Sequence, residues 1–211
     1  MDRRQFLSTA GGLGRVAALA PKPVDAAVYC FSVHNAKLRC TAGLLQSPPI
    51  AAQPCRALTW ATCLSYMLQG YGANISERTV LDRYGKDGAC TDPIGDETAL
   101  LMGAAGTWRD DYGRRFLVLT RRLPDVSAGH LPVDDGRLII SRLARQPILC
   151  GAAGHTTLLT ELVYDDSMIT RLKVTEATVR DPWSETPQLR PLNDTELSKP
   201  FSMVSLSLRP L

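Results

Sequence analysis

The segment Gln53-Pro54-Cys55-Arg56-Ala57-Leu58-Thr59-Trp60-Ala61-Thr62-Cys63-Leu64-Ser65-Tyr66-Met67-Leu68-Gln69-Gly70-Tyr71-Gly72 carries the clearest periodicity in the chain. Trp60, Cys63, Leu64, Met67, Leu68 and Tyr71 recur at intervals of three and four, which predicts an amphipathic or buried helix from Thr59 to Tyr71. Gly72 supplies the kind of residue on which helices end. Downstream, Ser76 can cap a second helix to about Tyr84, Asp96 a third to about Ala105, and Asp134 or Asp135 a fourth to about Arg145. Phe116 to Thr120 reads as an isolated strand. Beyond Pro147 strand-like runs follow at Ile148–Cys150, Thr156–Tyr164, Leu172–Val179 and Phe201–Leu208, with a hairpin turn at Asp165-Asp166-Ser167 and a short helix at Asp194–Ser198. Upstream, residues 27–50 form a lead-in that contains a strand at Val28–Val33 and ends in the Ser47-Pro48-Pro49 break. Helices first and antiparallel strands afterwards predict an α+β fold: an N-terminal helical half packed on a C-terminal antiparallel sheet, with a cleft at their junction.

The 211 residues are 45% hydrophobic and 21% charged, the composition of one ordinary globular domain, which excludes disorder, collagen and coiled coil. A net charge of +3 without a dense basic cluster gives no sign of a nucleic-acid partner. No internal repeat is visible, and no apolar segment reaches the roughly 20 residues of a membrane span. Met1-Asp2-Arg3-Arg4-Gln5-Phe6-Leu7, followed by a weakly apolar stretch to Ala20, resembles a twin-arginine export signal, with a small-residue cleavage site at Val24-Asp25-Ala26. An amphipathic N-terminal arm is the competing reading. The resemblance implies a periplasmic or secreted protein divided into a signal (1–26), a lead-in (27–50) and one domain (51–211).

Export bears on the six cysteines, Cys30, Cys40, Cys55, Cys63, Cys90 and Cys150, because disulfides persist outside the cytoplasm. An even count permits full pairing in any of 15 arrangements. Cys63 and Cys150 lie in apolar runs and can equally be buried free thiols. No Cys-x-x-Cys or His-x3–5-His spacing is present, so neither zinc nor any other metal or cofactor is implied.

Gln53, six positions before Thr59, and the Trp-Ala, Met-Leu and Tyr-Gly landmarks after it resemble the nucleophile helix of compact bacterial papain-like cysteine peptidases. Gly154-His155 before an apolar strand and Asp181-Pro182-Trp183 after the next one are similar to that family's histidine and third-member motifs. The likeness spans roughly residues 50–185, and the Thr59–His155 interval is shorter than the ~130–150 positions of papain and the cathepsins. It implies that Gln53 donates to an oxyanion, that His155 faces the helix start, and that Asp181 fixes the imidazole tautomer. It also implies a disulfide between Cys55 and Cys90.

The nucleophile is where the chain departs from the family. Thr59 stands in place of the cysteine, and a threonine hydroxyl has no low-pKa anion for the helix dipole and imidazolium to stabilise. Working threonine hydrolases use their own N-terminal amine as base, and Thr59 is internal. A threonine there is also a satisfactory N-cap. Cys55, in the preceding loop, and Cys63, one turn along the helix, are the alternative nucleophiles.

Three functional readings follow. The first is an impaired homologue that binds peptide or protein segments. The second is an active peptidase or amidase using Thr59 or Cys55, and the third a secreted interaction or toxin module on the same scaffold. Outside this constellation, His34 and His130 read as ordinary residues, Trp60 as packing, and Arg114-Arg115 with Arg121-Arg122 as charges guarding a sheet edge.

Overall fold

The computed structural model describes residues 26–33, 37–44, 48–90, 97–127, 129–152, 154–166 and 171–211. In chain order the elements are β1 (Ala26–Val33), β2 (Lys37–Leu44), α1 (Thr59–Gly70), α2 (Glu77–Arg83), α3 (Glu97–Met102), β3 (Gly106–Arg109), β4 (Arg115–Val126), β5 (His130–Pro132), α4 (Val133–Leu143), β6 (Ile148–Ala152), β7 (His155–Asp166), β8 (Arg171–Arg180), β9 (Leu189–Pro191), α5 (Asp194–Ser198) and β10 (Phe201–Pro210). The strands form one ten-stranded sheet in the order β1-β2-β7-β6-β10-β4-β3, and β8 branches from β7 to pair with β5 and β9. Every strand pair in it is antiparallel.

This overturns the expected helical half packed on a sheet. Among the described residues only α1 and α4 exceed seven residues, two strands precede the first helix, and three more fall between α3 and α4. The central strands are buried on both faces. Leu158 packs with Trp60, Leu64, Leu68 and Leu101 on one side, while its neighbour Leu159 packs with Ile139, Leu143 and Phe201 on the other. Leu149 and Ile148 divide in the same way. Helices α1–α3 therefore cover one face and α4 the opposite one, which explains the unbroken apolar runs in β6 and β7, since a strand alternates its side chains between faces and both faces here are core.

Local corrections follow from the same architecture. Phe116–Thr120 belongs to the first half of the twelve-residue β4, paired by β10 on one edge and, up to Val118, by β3 on the other, so it is not isolated. Arg121 and Arg122 lie beyond Val118, where β3 ends and β4 is paired by β10 alone, so these exposed arginines do stand along an edge that no described strand pairs. Arg114 precedes β4, paired with the buried Asp110 at 2.7 Å. Helix α4 is capped by Pro132, and Asp134 and Asp135 lie in its first turn. Ser76 does cap α2, accepting from the Thr79 amide at 3.2 Å. Residues 27–50 supply both β1 and β2. The export motif, His34, Asp96 and Ser167 lie outside the described residues.

Candidate functional site

Four segments meet at the start of α1. The 53–56 segment runs beside Trp183 as an isolated parallel bridge, with the Gln53 amide donating to Pro182 O at 2.6 Å and the Ser184 amide to Gln53 O at 3.0 Å. A 3-10 turn at Arg56–Leu58 leads into α1. Gly154, at φ +74°, occupies the left-handed backbone of the tight β6–β7 turn, and His155 opens β7 directly after it.

His155 and Asp181 are buried, at 1% and 0% exposure. The imidazole Nε2 lies 2.8 and 2.9 Å from the two Asp181 oxygens. The edge of His155 meets the Trp183 ring, with centroids 5.7 Å apart, and the Arg56 guanidinium lies 5.1 Å from the centre of that ring. Nδ1 has no hydrogen-bond partner among the described residues. Burial alone would raise the Asp181 carboxyl. Hydrogen bonds from His155, the Trp183 amide and Arg190 instead hold it below the ordinary carboxylate value.

Thr59 is fully buried. Its hydroxyl donates to Arg56 O at 3.0 Å and accepts from the Thr156 amide at 3.2 Å, so the side chain is committed in both directions. It is the first residue of α1 and not its N-cap, a position held by Leu58. Gln53 is also committed. Its Nε2 donates to Glu77 Oε1 at 2.7 Å and lies 3.4 Å from Thr62 Oγ1, while its Oε1 accepts from the Cys55 amide at 2.9 Å. The second Glu77 oxygen accepts from the Thr62 hydroxyl at 2.6 Å. A carboxylate thus already occupies the amide donor that an oxyanion would need.

Neither alternative nucleophile is available as a thiolate. Cys55 is disulfide-bonded to Cys90, and Cys30 to Cys40. Cys63 is buried with its thiol 3.5 Å from Thr156 O, and burial, then the nearby Asp181 charge, push its pKa well above the ordinary value. Cys63 and Cys150 are both free and buried. Trp60 packs in the core with Tyr84, and His130 sits in β5, remote from this site in the sheet. Among the described residues no cluster of His, Cys, Asp and Glu could hold a metal, and no helix is long and apolar enough to cross a membrane.

Three participants escaped the sequence reading. Arg190, on β9, donates to Asp181 Oδ2 at 3.0 Å and forms a two-pronged pair with Glu196 at 2.9 Å on each prong. Glu196 also closes a capping box with Asn193 at the head of α5; that Asn-x-x-Glu spacing is readable in sequence, but its link to Asp181 is not. Glu77 has a local explanation as an acid in the first turn of α2, which hides its contact with Gln53. Beside the site, Gly151, Gly154, Glu196, Lys199, Pro200 and Phe201 line a cavity of about 360 Å³. The chain matches no family model, no curated protein and no solved structure.

Proposed function

We propose that this chain is an exported protein carrying a papain-like site, Gln53, Thr59, His155 and Asp181, that does not cleave peptide bonds and instead holds a peptide or protein segment. The observation that carries the reading is the state of the nucleophile position. A fully buried threonine, bonded on both sides, stands at the helix start next to a His155–Asp181 dyad whose Nδ1 has no hydrogen-bond partner among the described residues. An active enzyme using Cys55 is disfavoured by the Cys55–Cys90 disulfide, and one using Thr59 by a hydroxyl proton already given to Arg56 O. The two disulfides support export. The cavity beside Gly154 is where a ligand side chain sits.

The test is intact mass after incubating the folded wild type and T59C with a papain-directed peptidyl epoxide, followed by peptide mapping. A single adduct on T59C at the introduced thiol, and none on wild type, is expected, because the helix start and His155 act on that sulfur together. Labelling of wild type would mean that the protein has a working nucleophile. No labelling of either would remove the site assignment itself.

A further inference from the structure

The two ends of the sheet differ in a way that selects a partner. At one end β3 is four residues long and carries charge: Arg109 stands opposite Arg115, and the Arg83 guanidinium lies over Trp108 at 4.2 Å. Short, cationic edges resist pairing with a second sheet. At the other end β1 runs eight residues, Ala-Ala-Val-Tyr-Cys-Phe-Ser-Val, without a charge, a proline or a bulge. Its inner edge pairs with β2 along its whole length, and no described strand pairs its outer edge.

Both faces of β1 are also uncovered. Tyr29 and Phe31 share the face of the Arg39–Asp165 ion pair and are 57% and 53% exposed. Val28 lies on the opposite face, in line with the buried Ala42 of β2, yet is 47% exposed, because the small cluster beneath α4 reaches Cys40 and Ala42 and stops there. The Cys30–Cys40 disulfide joins directly opposed residues and fixes the hairpin in this pose.

We infer that β1 is the interface of a symmetric homodimer, pairing antiparallel with β1 of a second copy about a two-fold axis perpendicular to the sheet. Charge selects the occupant. An identical neutral strand sets no like charges opposite each other and continues the exposed Tyr29–Phe31 face across the axis, whereas an acidic segment would bring negative charge against the ring faces. An isologous pairing uses the same β1 edge of both copies, so the assembly closes at two, and the short, cationic β3 edge disfavours head-to-tail growth from β1 to β3. Pairing satisfies the outward amides and carbonyls of both strands and brings the two Val28 side chains to the same face of one continuous sheet. The Cys30–Cys40 link lowers the ordering cost of association. A single strand pair buries less than the roughly 1,200–2,000 Å² of a standard interface, so the dimer is expected to be weak and concentration-dependent.

Sedimentation equilibrium of the full chain from about 1 to 200 µM is the test. Wild type is expected to pass from monomer to dimer with no larger species, and Y29K/F31K to remain monomeric with an unchanged circular dichroism spectrum. Hydrogen exchange of wild-type β1 amides at the two ends of that range gives a second readout that does not depend on the variant folding; protection should rise with concentration. A monomer at all concentrations, open-ended growth, a dimer that survives both lysines, or β1 protection independent of concentration would each overturn the inference. The last outcome would assign the edge to another segment of the same chain.

Discussion

Arg190 is the residue whose removal tests the buried network most directly. Its side chain is 13% exposed and bridges two carboxylates, Asp181 at 0% and Glu196 at 10% exposure. Arg190→Met keeps the stem and removes the charge, leaving two acids in a poorly hydrated setting. Breaking a buried ion pair from one side costs about 3–5 kcal/mol. The residual exposure of Arg190 and Glu196, together with the surviving Asp181 bonds from His155 and the Trp183 amide, points to the lower end, ~3 kcal/mol. Urea unfolding at pH 7 reads this as a fall in midpoint at constant slope. The pH dependence has a definite sign. The pKa values of Asp181 and Glu196 are lowered in the folded state, so their contribution is present above the ordinary carboxylate range and is lost as pH falls through the folded values. The gap between wild type and variant should therefore be widest at neutral pH and narrow below about pH 4. Adding Glu196→Leu should recover part of the loss by removing one of the stranded acids. A loss under about 1 kcal/mol, the size of an exposed pair, or a gap that widens on acidification would refute the reasoning.

T59C restores the sulfur but leaves Glu77 on the Gln53 amide, so T59C should be labelled by an epoxide yet turn over an ester or anilide substrate poorly, and T59C/E77A should turn it over at least tenfold faster; equal rates would show that Glu77 does not obstruct the donor. Cys63 and Cys150 should resist a disulfide-exchange reagent in the folded protein at pH 8 and both react after unfolding, since burial raises the Cys63 thiol and pushes Cys150 up to about 12. Gly136→Ala in α4 would place a methyl group over Leu172 Cδ1 and 3.1 Å from its Cγ. The overpacking penalty of about 1–3 kcal/mol should outweigh the ~1 kcal/mol gain in helix propensity, and thermal unfolding should show a lower Tm.

Legibility followed how local each signal is. Helix α1 is legible because its stripe of large apolar residues is sequential, and α5 because its cap is contained in six residues. Strand β2 is not, because its buried positions are filled by Cys40 and Ala42, small residues that mark no strand, and its pairing with β7 crosses more than a hundred positions. Strand β4 is shortened in any sequence reading by Arg121, Arg122 and Asp125, charged residues in a stretch that pairing with β10 holds in extended backbone. Which face each helix covers is decided by tertiary packing alone, and there the expected helical half failed. Gln53, Thr59, His155 and Asp181, singled out through the resemblance, lie near one another around the start of α1, but the contacts from Glu77 and Arg190 come from residues with ordinary local roles.

Two accounts of the dyad compete, and one atom separates them. Asp181 joins β7 through His155, the turn after β8 through the Trp183 amide, and α5 through Arg190 and Glu196. That chain of bonds is sufficient reason for a fold to keep a buried aspartate, and a purely structural role would need nothing further from the imidazole than the Nε2 bond. A buried polar atom without a partner costs about 1–3 kcal/mol, however, and an apolar ring in place of His155 would avoid that penalty. Among the described residues the His155 Nδ1 is such an atom. Scaffolding therefore accounts for Asp181, Arg190 and Glu196, whereas the second nitrogen of the histidine is left over, which the proposed ligand-holding site calls for and a purely structural dyad does not.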